Sequence, residues 1–154
     1  MADLALRYSP ELGGFDLVLD TVTGDLVMDD GLTTAVILSL FTDRRALPGD
    51  AGLPSASDRR GWWGDALTPE APLGSRLWLL AREKTTAETA ARVRTYVREA
   101  LEWMLRAGVA TRLTVTAEAF PADSRVEVAV AIDAPGEDTV EYRWRNVWEP
   151  QSAV

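Results

Sequence analysis

The sequence predicts a single α+β domain: an N-terminal β-hairpin, then central helices packed on one face of a mostly antiparallel sheet formed with C-terminal strands. Three observations lead there. Between residues 85 and 107, apolar side chains recur at helical spacing. Between 112 and 144, three segments alternate with period two and are separated by turn residues. The chain has 154 residues, 47% of them hydrophobic and 26% charged, which supplies one core and demands no second. The whole of 1–154 is therefore read as one domain, with a long ordered loop at 43–74 and a tail at 149–154.

The first thirty residues are acidic. Asp3, Glu11, Asp16, Asp20, Asp25, Asp29 and Asp30 face only Arg7. Phe15-Asp16-Leu17-Val18-Leu19 alternates as a half-buried strand does, Thr23-Gly24-Asp25 is a turn, and Asp25-Leu26-Val27-Met28 is a second short strand. Next, Leu32, Val36 and Leu40 together with Ile37 and Phe41 place one apolar stripe on a helix that should stop near Thr42-Asp43. The acids before it suit the positive end of the helix dipole. Ser75 to Arg82 reads as a short helix. Thr85-Thr86-Ala87-Glu88 matches a capping box with Thr85 as N-cap, and it opens a longer helix to about Ala107. The buried face of that helix is Val93, Val97, Ala100, Leu101, Met104 and Leu105, and Gly108 is its left-handed stop. Three strands follow, at 112–119, 125–132 and 139–144, with turns at Pro121-Ala122-Asp123 and 133–138.

Composition narrows the chemistry. There is no cysteine and no histidine, so thiolate and imidazole nucleophiles, histidine bases and the usual zinc ligands are all missing. No residue set points to a metal or a cofactor, and no catalytic residue is assigned. The paired carboxylates Asp29-Asp30 and Glu137-Asp138 sit where turns and helix caps want acids. Glycines do not fall in a phosphate-cradle pattern. A formal charge of −8 argues against nucleic acid and against anionic membranes as partners. The N-terminus lacks a signal-peptide pattern and no apolar run reaches membrane-spanning length, so folding in a cytoplasm is expected.

The loop at 43–74 carries the unusual residues. Its nine glycines and prolines rule out long regular elements, and long structured loops inside compact domains are mostly functional. Two similar triplets, Asp43-Arg44-Arg45 and Asp58-Arg59-Arg60, could form bidentate ion pairs that shape the loop, hold a partner's carboxylates, or form a solvated charge run. Trp62-Trp63 follows at once, then Gly64-Asp65. In an extended stretch the two indoles point to opposite sides, one toward the core and one toward solvent or a partner. Tryptophan and arginine are the types most enriched at binding hot spots, and loop anchoring is the other reading. Trp78 and Trp103 lie among apolar residues of helices and are expected in the core, while Trp148 is a candidate anchor for the tail.

Three segments resemble a family of small phage proteins typified by the baseplate protein of Mu-like phages. They are Leu40-Phe41-Thr42-Asp43-Arg44-Arg45-Ala46; Asp58-Arg59-Arg60-Gly61-Trp62-Trp63-Gly64-Asp65 with Gly74-Ser75-Arg76-Leu77-Trp78; and Glu99-Ala100-Leu101-Glu102-Trp103 with Gly108-Val109-Ala110. The resemblance spans from about residue 15 to Trp148. That family is similar in turn to the short baseplate wedge protein of T4-type contractile tails, whose fold resembles the sheath domain that joins neighbours by strand exchange. Two departures stand out. Thr42-Asp43-Arg44-Arg45 replaces a Gly-Glu-Arg type turn, and Arg106-Ala107-Gly108-Val109-Ala110 replaces a Glu-Pro-Arg signature, so contacts of that signature do not transfer.

What the resemblance implies is a non-catalytic inner wedge subunit of a contractile-tail baseplate, located in the virion or a tail-like particle. Its expected partners are other wedge proteins, the tail sheath, and the central hub or tube as a further neighbour. It would help to start sheath assembly. Arg44, Arg45, Asp58, Arg59, Arg60, Trp62, Trp63 and Asp65 are the residues expected to shape the loop or touch a partner. The alternatives are a tail-associated cell-wall hydrolase, which would need two convergent carboxylates, and an assembly factor absent from the finished particle.

Overall fold

The computed structural model describes residues 3–29 and 31–149. Asp30 and the tail positions 150–154 lie outside the described residues. Nine elements carry the architecture: strands β1 (Asp3–Leu4), β2 (Leu6–Ser9), β3 (Gly14–Leu17) and β4 (Met28–Asp29), helix α1 (Thr33–Phe41), helix α2 (Ala87–Arg106), and strands β5 (Arg112–Phe120), β6 (Arg125–Asp133) and β7 (Val140–Trp144). Strands and helices segregate along the chain, as the α+β reading requires.

The C-terminal sheet is antiparallel in the order β5-β6-β7. Its register explains its burial. Leu113, Val115, Ala117 and Ala119 stand opposite Ile132, Val130, Val128 and Val126, and Val140, Tyr142 and Trp144 stand opposite Ile132, Val130 and Val128. Directly opposed residues share a face, so one apolar face runs across three strands. Along β6 burial alternates strictly, with Val126, Val128, Val130 and Ile132 essentially inaccessible. Helix α2 covers this face with Val93, Val97, Ala100, Leu101 and Met104, the stripe read from the sequence. Each of the valine, leucine and methionine side chains contributes about 1.5–3 kcal/mol by leaving water.

The ends of α2 are defined by its sequence, with one correction. The N-cap is Thr86, not Thr85: its Oγ1 accepts the Thr89 backbone N–H at 3.1 Å, and the Thr89 hydroxyl in turn donates to the Lys84 carbonyl. Thr86 has the extended backbone an N-cap requires (φ −128°, ψ 166°). At the other end Gly108 adopts φ +69°, and the N–H groups of Gly108 and Val109 return to the carbonyls of Leu105 and Met104. That is the glycine-terminated helix end expected from the sequence.

Helix α1 packs beside α2 through Val36 and Leu40, joined in the same core by Leu77 and Leu80. Its first turn holds no acid; instead Asp29, outside the helix, accepts from the N–H groups of Gly31 and Thr34. The expected short helix at 75–82 is one 3-10 turn, Leu77–Leu80, with Leu77, Leu79 and Leu80 buried.

The N-terminal hairpin is present but organised differently. Strand β3 does not ladder with 25–28; it pairs with β2, Phe15 opposite Tyr8 and Leu17 opposite Leu6. The expected hairpin survives as the bridge Leu19–Leu26 around a turn at 20–25, and β4 pairs back onto β1. Strand β2 shows no period in the sequence because Leu6-Arg7-Tyr8-Ser9 is only four residues long and Pro10 follows it at once. Ring contacts of 5.7 and 5.6 Å link Tyr8 to Phe15 and Phe15 to Phe41, and tie this ribbon to α1.

Candidate functional site

The loop from 42 to 76 is ordered by backbone pairing with itself and with the end of α1. The Arg44 N–H donates to the Ser75 carbonyl and the Ser75 N–H to the Thr42 carbonyl, each at 2.9 Å, which makes a parallel bridge at Asp43 and Ser75. The Ser75 hydroxyl, fully enclosed, donates to the Leu40 carbonyl at 2.5 Å. Farther out, the Ala46 N–H donates to the Arg59 carbonyl at 2.9 Å. The two Asp-Arg-Arg triplets, with twelve residues between them in the chain, thus lie side by side.

The arginines of these triplets make contacts within the chain. Arg60 Nη1 meets Asp43 Oδ2 at 2.7 Å, and its guanidinium lies 4.6 Å over the Trp78 ring. Trp78 Nε1 donates to the Arg44 carbonyl at 2.8 Å, so this indole is half-buried under the loop, not packed in the core interior as the sequence led us to expect. Arg59 donates to the Leu47 carbonyl at 3.2 Å and Arg45 to the Arg60 carbonyl at 3.4 Å. Arg44 faces Glu99 of α2 at 3.6 Å. Asp58 accepts the Arg60 N–H at 3.3 Å. Asp65 accepts the Leu73 N–H at 2.9 Å, and its other oxygen is buried with no hydrogen-bond partner. These geometries are those of loop-shaping residues. The surface ion pairs among them are individually weak; the backbone acceptors give the set its shape.

The strongest polar cluster was not singled out from the sequence. Arg76 Nη1 contacts both oxygens of Asp50 at 2.8 and 3.0 Å, its Nη2 meets Glu99 at 2.5 Å, and its guanidinium lies 4.5 Å over Tyr96. Only 11% of the Arg76 side chain is exposed. Burial acts against its charge, but the hydrogen bonds it donates to Glu99 and Asp50, with the negative charge of both acids, outweigh it and hold the guanidinium pKa above its ordinary value. Arg76 thereby joins the start of the loop, its end and helix α2. One arginine between a serine and a leucine carries no pattern that would have revealed this.

Trp62 and Trp63 do not divide between core and solvent. Both are exposed, at 39% and 79%, with ring centroids 5.4 Å apart and planes at 44°. The extended geometry stops at Trp62 (ψ 134°), and Trp63 begins a 3-10 turn ending at Ala66, so the indoles turn to the same side. The six-membered ring of Trp62 packs against Gly64: a Cβ there would come within 2.2 Å of it. The pair borders a groove of about 480 Å³ that Arg45, Arg60, Pro69 and Pro72 also line. Leu67, 79% exposed, extends the apolar surface. Trp103 is likewise at the surface, 36% exposed, with its Nε1 donating to the Ser39 hydroxyl at 3.0 Å. Trp144 is the buried tryptophan, and Trp148 packs partly against the core.

Chemically, the loop offers a fixed aromatic surface beside guanidinium groups. Among the described residues, no group of three or more acidic, histidine or cysteine side chains could hold a metal ion. A family model described as "Phage protein GP46" matches residues 32–139, from the start of α1 through the loop, α2, β5 and β6. The chain belongs to the GP46 family of phage proteins. It is similar to "Baseplate protein gp46" of Escherichia phage Mu, 42% identical over 145 residues that cover 94% of this chain and 96% of that one. It is also similar to "Mu-like prophage FluMu protein gp46" of Haemophilus influenzae, 36% identical over 148 residues that cover 96% and 98%. The GP46 match contains the whole arginine and tryptophan loop, and the alignments to the two relatives extend through nearly all of the chain.

Proposed function

We propose that this GP46-family chain is a non-catalytic structural subunit of a contractile-tail baseplate. The observation that carries the reading is the near full-length identity to the baseplate protein of phage Mu. In finer terms, the chain would sit in the inner wedge, contact other wedge proteins and the sheath, approach the central hub or tube, and help to start sheath assembly. It would be synthesised in the host cytoplasm and reside in the particle. Two features support the finer reading. The loop presents Trp62, Trp63 and Leu67 outward from a backbone held by many internal bonds, and an anchor with little freedom to lose binds well. Strands β5 and β7 each leave one edge unpaired within the three-stranded sheet, which suits strand addition by a neighbour.

The test is a lysogen lacking this gene and complemented in trans. Its particles are purified and probed for the chain and for contractile tails. Expected are tails containing the parent chain, and loss of intact tails with the Trp62→Ala, Trp63→Ala double variant, whose purified form unfolds cooperatively near the parent temperature. Normal tails that lack the chain would return it to the assembly-factor reading. Release of soluble fragments from peptidoglycan by the purified chain would favour a hydrolase; Asp20, held below the usual carboxylate range by the N–H groups of Val22 and Thr23, is shifted opposite to a general acid.

A further inference from the structure

The groove bordered by Trp62 and Trp63 is lined mostly by carbon, with Ala66, Pro69 and Pro72 completing it beside the two indoles. Its volume of about 480 Å³ falls among sites that seat a ligand-sized group. Pro69 and Pro72 have no N–H, and the N–H groups of Asp65, Leu67, Ala71 and Leu73 bond within the loop. Recognition here therefore falls to side chains and not to strand pairing.

Two guanidinium groups line the same groove, and they differ. Arg60 spends its charge on Asp43 and lies over the Trp78 ring. Arg45 meets no carboxylate among the described residues, and its bond to the Arg60 carbonyl is long, at 3.4 Å. Its stem is nevertheless held. Gly61, at φ +113°, packs against it so closely that a Cβ there would stand 2.9 Å from the Arg45 Cβ. Asp65 is the acid at the groove, but one of its oxygens takes the Leu73 N–H and the other is buried. Arg45 thus presents a positioned guanidinium without a counter-charge beside an apolar groove, which suits a carboxylate. A polyphosphate is a poorer match: residues 43–74 hold five acids against four arginines, so the loop gathers no basic field. A second copy meeting this one loop to loop would set Arg45 against Arg45.

We propose that this groove takes an extended segment of a different protein, seating an aliphatic or aromatic side chain against Trp62 and Trp63 and pairing a neighbouring aspartate or glutamate with the Arg45 guanidinium. The indoles supply contact area and Arg45 fixes which segment fits, since an apolar segment without an acid leaves the guanidinium unpaired. This deepens the contact role given to the loop above, and it rests on the baseplate reading in that the partner would be another component of the particle.

The complemented lysogen tests it with Arg45→Glu, Arg45→Gln and Arg45→Lys, and with Arg94→Ser on the exposed side of α2 as the control. Thermal unfolding of each purified chain is measured first. Gln and Lys both keep a donor for the Arg60 carbonyl, so these two should unfold near the parent temperature even if Glu loosens the loop. Incorporation per particle, by quantitative immunoblot, should fall about tenfold or more for Arg45→Glu, fall clearly for Arg45→Gln, and stay nearer the parent for Arg45→Lys, with the control unchanged. Equal incorporation of the Gln and Lys variants means that the charge does not matter, and overturns the pairing while leaving the baseplate reading intact. Absence of the parent chain from particles overturns the baseplate reading instead. A photo-reactive benzoylphenylalanine in place of the exposed Leu67 then reports the occupant within purified particles. The linked peptide should come from another particle protein and carry an aspartate or glutamate close to the linked residue. A linked segment with no acid nearby, or one from a second copy of this chain, overturns the proposal.

Discussion

A Cβ on residue 74 would stand 2.2 Å from the carbonyl oxygen of Thr42. Gly74 and Thr42 are thus in backbone contact that no side chain permits, and Gly74 also holds φ +95°. This approach lets Ser75 bond back to Thr42 and closes the base of the loop. Gly74→Ala combines a clash with a left-handed backbone, and we expect a loss of about 2–4 kcal/mol in urea unfolding. Gly136→Ala has open space around its Cβ, although φ is +78°, and should cost less.

Arg76 is expected to be the most costly polar residue to remove. Arg76→Met strips Asp50, only 12% exposed at its side chain, of its guanidinium, while Glu99 keeps only the longer contact to Arg44 at 3.6 Å. Breaking such a pair from one side costs about 3–5 kcal/mol when fully buried, and the partial exposure of Glu99 places this case at the lower end. Arg76→Lys retains charge but cannot reach both acids with a planar fork, so an intermediate loss is expected. Equilibrium denaturation of the three chains gives the order directly.

Gly64 matters for a different reason. Its backbone is ordinary, but Trp62 occupies the space where its Cβ would be. In Gly64→Ala the indole must swing off its seat, and because that ring is already partly exposed the stability cost should stay near 1 kcal/mol. Tryptophan fluorescence should change, and tail assembly should fall as with Trp62→Ala. Unchanged assembly in a variant with a displaced Trp62 indole would remove Trp62 from the contact surface.

Tyr142 gives a pH dependence on the alkaline side. Burial pushes its phenol above the free value of 10.0, opposed by the Thr33 hydroxyl at 3.5 Å and reinforced by the Asp29 carboxylate. The fold therefore favours the neutral phenol. Its contribution to stability is fully present below the unfolded pKa and is lost as pH rises through the higher folded pKa. The difference between phenolate absorbance titrations of the parent and Tyr142→Phe should have a midpoint above that of free tyrosine, and the variant should lose less stability at high pH.

Elements whose physics is local or periodic are legible from the residues alone. Helix α2 is bounded by a threonine cap and Gly108, and its buried face follows from spacing alone. The β5, β6 and β7 strands follow from strict alternation, because one face of that sheet is covered by a helix and the other meets solvent. The octapeptide at 58–65 was marked as ordered by its composition and by its likeness to phage baseplate proteins.

Where long-range partners lie is set by packing across the whole fold. That Thr86 and not Thr85 caps α2 depends on which hydroxyl reaches the Thr89 N–H. That β3 pairs with β2 depends on a four-residue strand too short to show a period. That Trp62 and Trp63 face the same way depends on a turn beginning between them. That Arg76 joins Asp50 to Glu99 depends on bringing together positions far apart in the chain. Such pairings are set by the packing of the whole core, and no local pattern of residues encodes them.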